Sequence, residues 1–161
     1  MVNVAYNNYN KETMARSNNS NLSISLKKSV EACKAIKGKK VSTVVDYLQK
    51  VIDQRAVVPY TRYKQETAHR RGKGIDTGGY PVNVAKELLR LVKSAEKNAK
   101  DRELGETLYV ISASARGGAS RYHYGRYSGR KMKSTNVEIV VGIKDSKKTT
   151  KTANKEVVNK W

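Results

Sequence analysis

LYVISASARGGASRYHYGRYSGRKMKSTNVEIVVGI, residues 108–143, begins and ends as strand. Leu108 to Ala115 and Val137 to Ile143 carry apolar and β-branched side chains at a period of two, the signature of extended chain with a buried face. Between them, Ser112 to Asn136 holds no Asp or Glu. It carries Arg116, Arg121, Arg126, Arg130, Lys131 and Lys133, interleaved with Tyr122, Tyr124 and Tyr127. The segment therefore reads as a long β-hairpin over 108–143 whose end reaches away from the core. A plain solvated loop that merely happens to be basic is the competing reading, and an acid-free run with three tyrosines argues against it. Arginine forks bind phosphate bidentately, tyrosine rings stack on unpaired bases, and glycine lets backbone approach closely. His123 lies in the same run and joins the candidate contacts.

Working toward the N-terminus, Pro81 opens the strongest helical pattern. Ala85, Leu88, Leu89, Val92, Ala95 and Ala99 form its apolar stripe, with Lys86, Arg90, Lys93 and Lys97 off it. Val41 to Arg55 is a second helix on the stripe Val41, Val44, Val45, Leu48, Val51 and Ile52, capped by Ser42 or Thr43, with Asp46 in its first turn. Val57-Val58-Pro59 breaks it. A third, short helix runs from Val30 to Lys37, with Ser29 as N-cap and Gly38 as its stop. Leu22, Ile24 and Leu26 alternate with serines and predict a strand just ahead of it. Between Tyr60 and Tyr80 the periodicity disappears. Arg62, Lys64, His69, Arg70, Arg71 and Lys73 sit there among Gly72, Gly74, Gly78 and Gly79. A loop that long in a small domain suggests a ligand that orders it, although a plain glycine-rich connector fits the local sequence too. The division that follows is an irregular arm over 1–20, one domain over 21–144 with a basic insert at 60–80, and a Lys-rich tail over 145–161.

The charge narrows the partner. Lys and Arg number 33 against 14 Asp and Glu, a net charge of +19 on 161 residues. Self-repulsion of that size works against a compact state, and a polyanion relieves it while releasing condensed counterions. The cations are spread along the chain rather than collected on one amphipathic helix, so nucleic acid fits better than a membrane surface. No apolar leader or spanning segment is visible. The single cysteine, Cys33, excludes an internal disulfide and reads as a small buried hydrophobe, consistent with a reducing, intracellular compartment. With only His69 and His123 beside it, no metal-ligand spacing exists. His69-Arg70-Arg71-Gly72-Lys73-Gly74 lacks P-loop spacing, and Ser112 and Ser114 lack the glycines of a nucleophile elbow. Neither histidine has an acidic neighbour in sequence. The expectation is no catalytic residue, no metal and no cofactor.

The order of motifs is that of a known family. Ala35-Ile36-Lys37-Gly38, Val58-Pro59-Tyr60-Thr61-Arg62-Tyr63, Gly79-Tyr80-Pro81, Ser94-Ala95-Glu96-Lys97-Asn98-Ala99, Arg126-Tyr127-Ser128-Gly129-Arg130 and Val137-Glu138-Ile139-Val140-Val141 occur in sequence. Over residues 20–144 the chain resembles the universal large-subunit ribosomal protein family numbered twenty-two in bacteria and seventeen in eukaryotes. Its insert resembles the archaeal and eukaryotic branch, and its return arm, Lys131 to Asn136, is a few residues shorter than is usual. The resemblance implies a structural protein of the cytoplasmic ribosome, not an enzyme. The implied partners are large-subunit ribosomal RNA, neighbouring ribosomal proteins and the nascent peptide, with no membrane and no self-oligomer. The hairpin residues would hold RNA, and Tyr124, Gly125, Arg126, Tyr127, Ser128 and Gly129 would form a tip lining the exit tunnel.

The expected fold is α/β (α+β): three helices packed on a small antiparallel sheet, with one long protruding β-hairpin. Two other classes would be compatible with the charge. A DNA-compacting protein would show a recognition helix, a repeated wedge or dimer symmetry, and an RNA-modifying enzyme would show a cofactor pocket or acid/base pair.

Overall fold

The computed structural model describes residues 6–72, 74–105 and 107–143. In chain order the elements are β1 (Met14–Leu22), α1 (Leu26–Ile36), α2 (Val41–Ile52), β2 (Val58–Tyr60), β3 (Thr77–Gly79), α3 (Val82–Lys100), β4 (Tyr109–Gly117), a 3-10 turn (Gly125–Tyr127) and β5 (Thr135–Gly142). β1, β5 and β4 form an antiparallel sheet in that order, and β2 and β3 form a separate two-stranded ribbon. α1 packs on β4, α3 lies across β1 and β5, and α2 backs onto α3.

The central strand carries the core. Val137, Ile139 and Val141 of β5 are at most 1 % exposed and meet the buried face of α3, which is Val84, Ala85, Leu88, Leu91, Val92, Ala95 and Ala99. Leu91 belongs to that face, while Leu89, expected on it, is only half-buried. Burial of each large aliphatic side chain stabilises the fold by roughly 1.5–3 kcal/mol. The expected α+β architecture is present, and Cys33 lies buried in this core.

The N-terminal elements differ from the expectation. The arm expected to be irregular through residue 20 carries β1 from Met14, and the strand expected around Ile24 is not there: Leu22 ends β1 and Leu26 already opens α1. β1 buries only Ala15 and Ser17 on its inner side, too little apolar area for a local signal. Its stability comes from pairing with β5, Ala15 opposite Val141 and Ser17 opposite Ile139. α1 starts earlier than Val30, with Ser25 at the N-cap position. Ser29 is buried inside the helix, its hydroxyl donating back to the Ser25 carbonyl at 2.8 Å. Gly38, at φ +81°, turns the chain out after α1 as expected.

Neither Ser42 nor Thr43 caps α2. Lys40 is at the N-cap position, and the Val41 N–H instead donates to the Leu108 carbonyl at 2.9 Å. The entry to β4 therefore caps the helix from across the fold. α2 ends at Ile52, three residues before Arg55, and Asp46 falls beyond its first turn. Pro81 is the N-cap residue of α3 rather than a residue inside it. The Lys-rich tail over 145–161 lies outside the described residues.

Candidate nucleic-acid interface

The β4–β5 ladder continues past the body. Beyond Gly117 opposite Thr135, Gly118 N–H donates to the Ser134 carbonyl (3.0 Å), Met132 N–H to Arg121 (2.7 Å) and His123 N–H to Arg130 (2.9 Å), with Tyr122 bridging Lys131. The 3-10 turn over Gly125–Tyr127 closes the end. All of residues 121–130 are exposed. Tyr122 and Tyr127 are 57 % and 56 % exposed and Tyr124 is 89 % exposed. Lys131 lies over the Tyr122 ring and Arg130 over the Tyr127 ring, each 5.5 Å from the centroid, which leaves Tyr124 as the freest aromatic face.

The root of the hairpin is concave. Asn21, at φ +56°, donates its N–H to Asn136 Oδ1 (2.8 Å), and Ser134 Oγ donates to Asn21 Oδ1 (3.1 Å). These side chains close over Gly118, where a Cβ would collide with Ser134 Oγ and come within 2.9 Å of both asparagine oxygens. Beside this knot opens a cleft of about 500 Å³ that gathers Arg121, His123, Lys131 and Lys133 from the two arms. A smaller cleft of about 250 Å³ adjoins it, bordered by Lys28, Tyr80 and Asn83, and Ser23 and Lys133 line both. Lys28, Asn21 and Ser23 were not among the sequence candidates, because nothing local brings residues 21–28 to the hairpin.

The basic insert is not a bare loop. β2 pairs with β3, and His69 bridges Thr77, with Arg70 N–H donating to the Asp76 carbonyl at 3.0 Å. His69 meets an acidic partner across the ribbon: Nδ1 lies 2.8 Å from Asp76 Oδ1, both side chains exposed. Arg62, Lys64, His69, Arg70 and Arg71 all face solvent, as does Arg116 on the hairpin. Lys73 lies outside the described residues. Arg62 and Arg70 rest over Tyr63 and Tyr80, at 5.4 and 5.3 Å. Gly78 makes the ribbon possible, for a Cβ there would stand 2.5 Å from Val57 Cγ1 and 2.8 Å from the Val58 carbonyl oxygen. Gly78→Ala is expected to lower stability by about 1–3 kcal/mol, read as a reduced urea midpoint, because backbone has to move to admit the methyl group.

One residue that sequence reasoning missed anchors the insert. Glu31 of α1 is 1 % exposed. Its carboxylate accepts from the N–H groups of Thr61 (3.0 Å), Arg62 (2.7 Å) and Tyr63 (2.7 Å) and from the Thr61 hydroxyl (3.2 Å). Burial alone would raise its pKa, but the bonds from Thr61, Tyr63 and Arg62 together outweigh it and hold the group below its ordinary value. Tyr60 nearby is pushed up, first by burial and then by the Glu31 charge. The available signal was that Glu31 is the only acid between Glu12 and Asp46.

The family profile of ribosomal protein L22p/L17e matches residues 17–142, from within β1 through the end of β5. The chain belongs to the ribosomal protein L22p/L17e family. It is 36 % identical over 136 residues to the large ribosomal subunit protein uL22 of Methanococcoides burtonii, covering 81 % of this chain and 89 % of that protein. It is 33 % identical over 150 residues to the uL22 of Archaeoglobus fulgidus, covering 89 % and 97 %. The uL22 of Methanoregula boonei is 36 % identical over 138 residues, covering 81 % and 90 %. Membership in the L22p/L17e family makes this a structural ribosomal protein and not an enzyme. The burial of Cys33, which pushes its thiol up to about 12, accords with a packing role. Among the described residues, no cluster of His, Cys, Asp or Glu is suited to a metal ion, and no helix is long and apolar enough to cross a membrane.

Proposed function

We propose that this ribosomal protein is a structural constituent of the large ribosomal subunit, where it binds and stabilises large-subunit ribosomal RNA and contacts neighbouring ribosomal proteins. The observation that carries the reading is the exposed, acid-free outer part of the hairpin, whose backbone rungs continue to its closing turn. An arm paired in this way spaces its cations along two adjacent strands, where they can meet successive phosphates.

Arg116, Arg121, Arg126, Arg130, Lys131 and Lys133 on the arm take phosphates, together with Arg62, Lys64, His69, Arg70, Arg71 and Lys73 on the insert. Tyr122, Tyr124 and Tyr127 stack on unpaired bases, with His123 among them. The helices and sheet hold the RNA's register as one domain, which begins with β1 rather than at residue 21. The tip, Tyr124 to Gly129, extends toward the nascent-peptide exit tunnel and meets the peptide there. The ribosome is the cytoplasmic one, a reading supported by the basic insert and by archaeal relatives of similar length.

Sedimentation of lysate through a gradient, with and without ribonuclease, tests the assignment. The protein is expected to travel with the large subunit and to leave that position when the RNA is digested. Ribonuclease-insensitive migration with chromatin would overturn it.

A further inference from the structure

We infer that the cleft at the hairpin root holds one unpaired RNA nucleotide drawn out of its stack; this rests on the RNA-binding reading above and specifies what that interface takes. The cleft arises from a mismatch in the arms. Between the Gly118–Ser134 rung and the Arg121–Met132 rung, the outgoing arm carries two residues, Ala119 and Ser120, and the return arm only Lys133. Two residues opposite one bend the ladder and open a concave face. The end of β1 supplies the third wall, tied to the hairpin by the Asn21–Asn136 and Ser134–Asn21 bonds.

The size and lining select the ligand. About 500 Å³ lies within the ~300–1,000 Å³ of sites that enclose a small organic group. Ala119 and Met132 form an apolar surface, while Arg121, Lys131 and Lys133 bring positive charge to the same cavity. A bare phosphate would leave the apolar surface unused, and a neutral apolar ligand would leave the cations unused. A nucleotide uses both, with its base face on Ala119 and Met132 and its phosphate toward the cations. Asn21 and Ser23 add polar atoms on the wall for a base edge or a ribose hydroxyl. The adjoining cleft continues the path, because Ser23 and Lys133 border both and Lys28 offers the next phosphate a cation. A base in a duplex has its faces and edge already engaged, so the occupant is unpaired, the state that costs least to extrude.

The full chain would be titrated into two RNA hairpins that differ only by one unpaired 2-aminopurine nucleotide in the stem, with anisotropy and 2-aminopurine fluorescence recorded. The wild type is expected to prefer the RNA with the extra nucleotide by about tenfold, with fluorescence rising as the base leaves its stack. Ala119→Leu fills the cleft without altering charge, at an exposed position that the fold does not depend on. It is expected to abolish the preference and the fluorescence rise while the paired RNA binds as before, and Ala119→Ser is expected to retain both. Equal wild-type affinity for the two RNAs, a preference that survives Ala119→Leu, or parallel loss of both RNAs in that variant would each overturn the inference. Failure of the wild type to bind either RNA would instead overturn the RNA-binding reading beneath it.

Discussion

Replacing Arg121, Arg126 and Arg130 together with alanine is expected to weaken RNA binding about 100-fold near physiological salt. Charge-assisted hydrogen bonds contribute roughly 1.5–3 kcal/mol each, so three partly redundant contacts exceed the ~2.7 kcal/mol that 100-fold represents. A second observable separates lost phosphate contacts from a general loss of structure. The slope of log affinity against log salt should flatten by about 2–3, since each neutralised phosphate contributes roughly 0.7–0.9 to it. All three arginines are exposed, and among the described residues none forms an ion pair. The unfolding free energy from urea titration should therefore stay within about 0.5 kcal/mol of wild type. Unchanged affinity and slope in a folded variant would remove the hairpin as the anchor.

The second large effect belongs to Glu31. Alanine there leaves the N–H groups of Thr61, Arg62 and Tyr63 without their common acceptor, and stability should fall by about 3 kcal/mol, with losses that do not add simply. Glu31→Gln keeps the shape but not the charge and should fall between alanine and wild type. The pH dependence gives the mechanism. The folded carboxyl titrates below its ordinary value of 4.5, so its contribution is fully present above that pH. It is lost as pH falls through the lowered folded value, with a slope of at most about 1.4 kcal/mol per pH unit. Glu31→Gln should lack that segment of the acid-stability curve. A variant with wild-type stability and acid slope would show that Thr61–Tyr63 is held by something else. Because the insert starts at this clamp, Glu31→Ala should also expose the insert to limited proteolysis.

The helices were legible because an apolar stripe is a local pattern: Leu88, Val92, Ala95 and Ala99 announce their face at helical spacing whatever they pack against. The hairpin was legible for the same reason, as two stretches of strand period flank an acid-free run. Helix starts were read less well. Ser29 and Ser42 look like caps, yet their helices begin elsewhere, because Ser29's hydroxyl is satisfied within α1 and α2 is capped by the Leu108 carbonyl. The sequence places the candidate contacts of the insert on a segment without periodicity, whereas strand pairing and the His69–Asp76 contact give them positions.

What the sequence determined by itself is the set of amphipathic helices, the hairpin, the excess of positive charge and the family those motifs spell out, all of which reside in neighbouring residues. Tertiary structure alone decided that the polar segment Met14–Leu22 is a strand, that Glu31 clamps the insert, and that Asn21 and Ser23 complete a cleft with Arg121, Lys131 and Lys133. The physical reason is separation along the chain. Ala15 pairs with Val141 and Asn21 bonds Asn136, each more than a hundred positions away, and Glu31 accepts from Thr61, Arg62 and Tyr63 in a separate element, so these contacts exert no influence until the fold has closed.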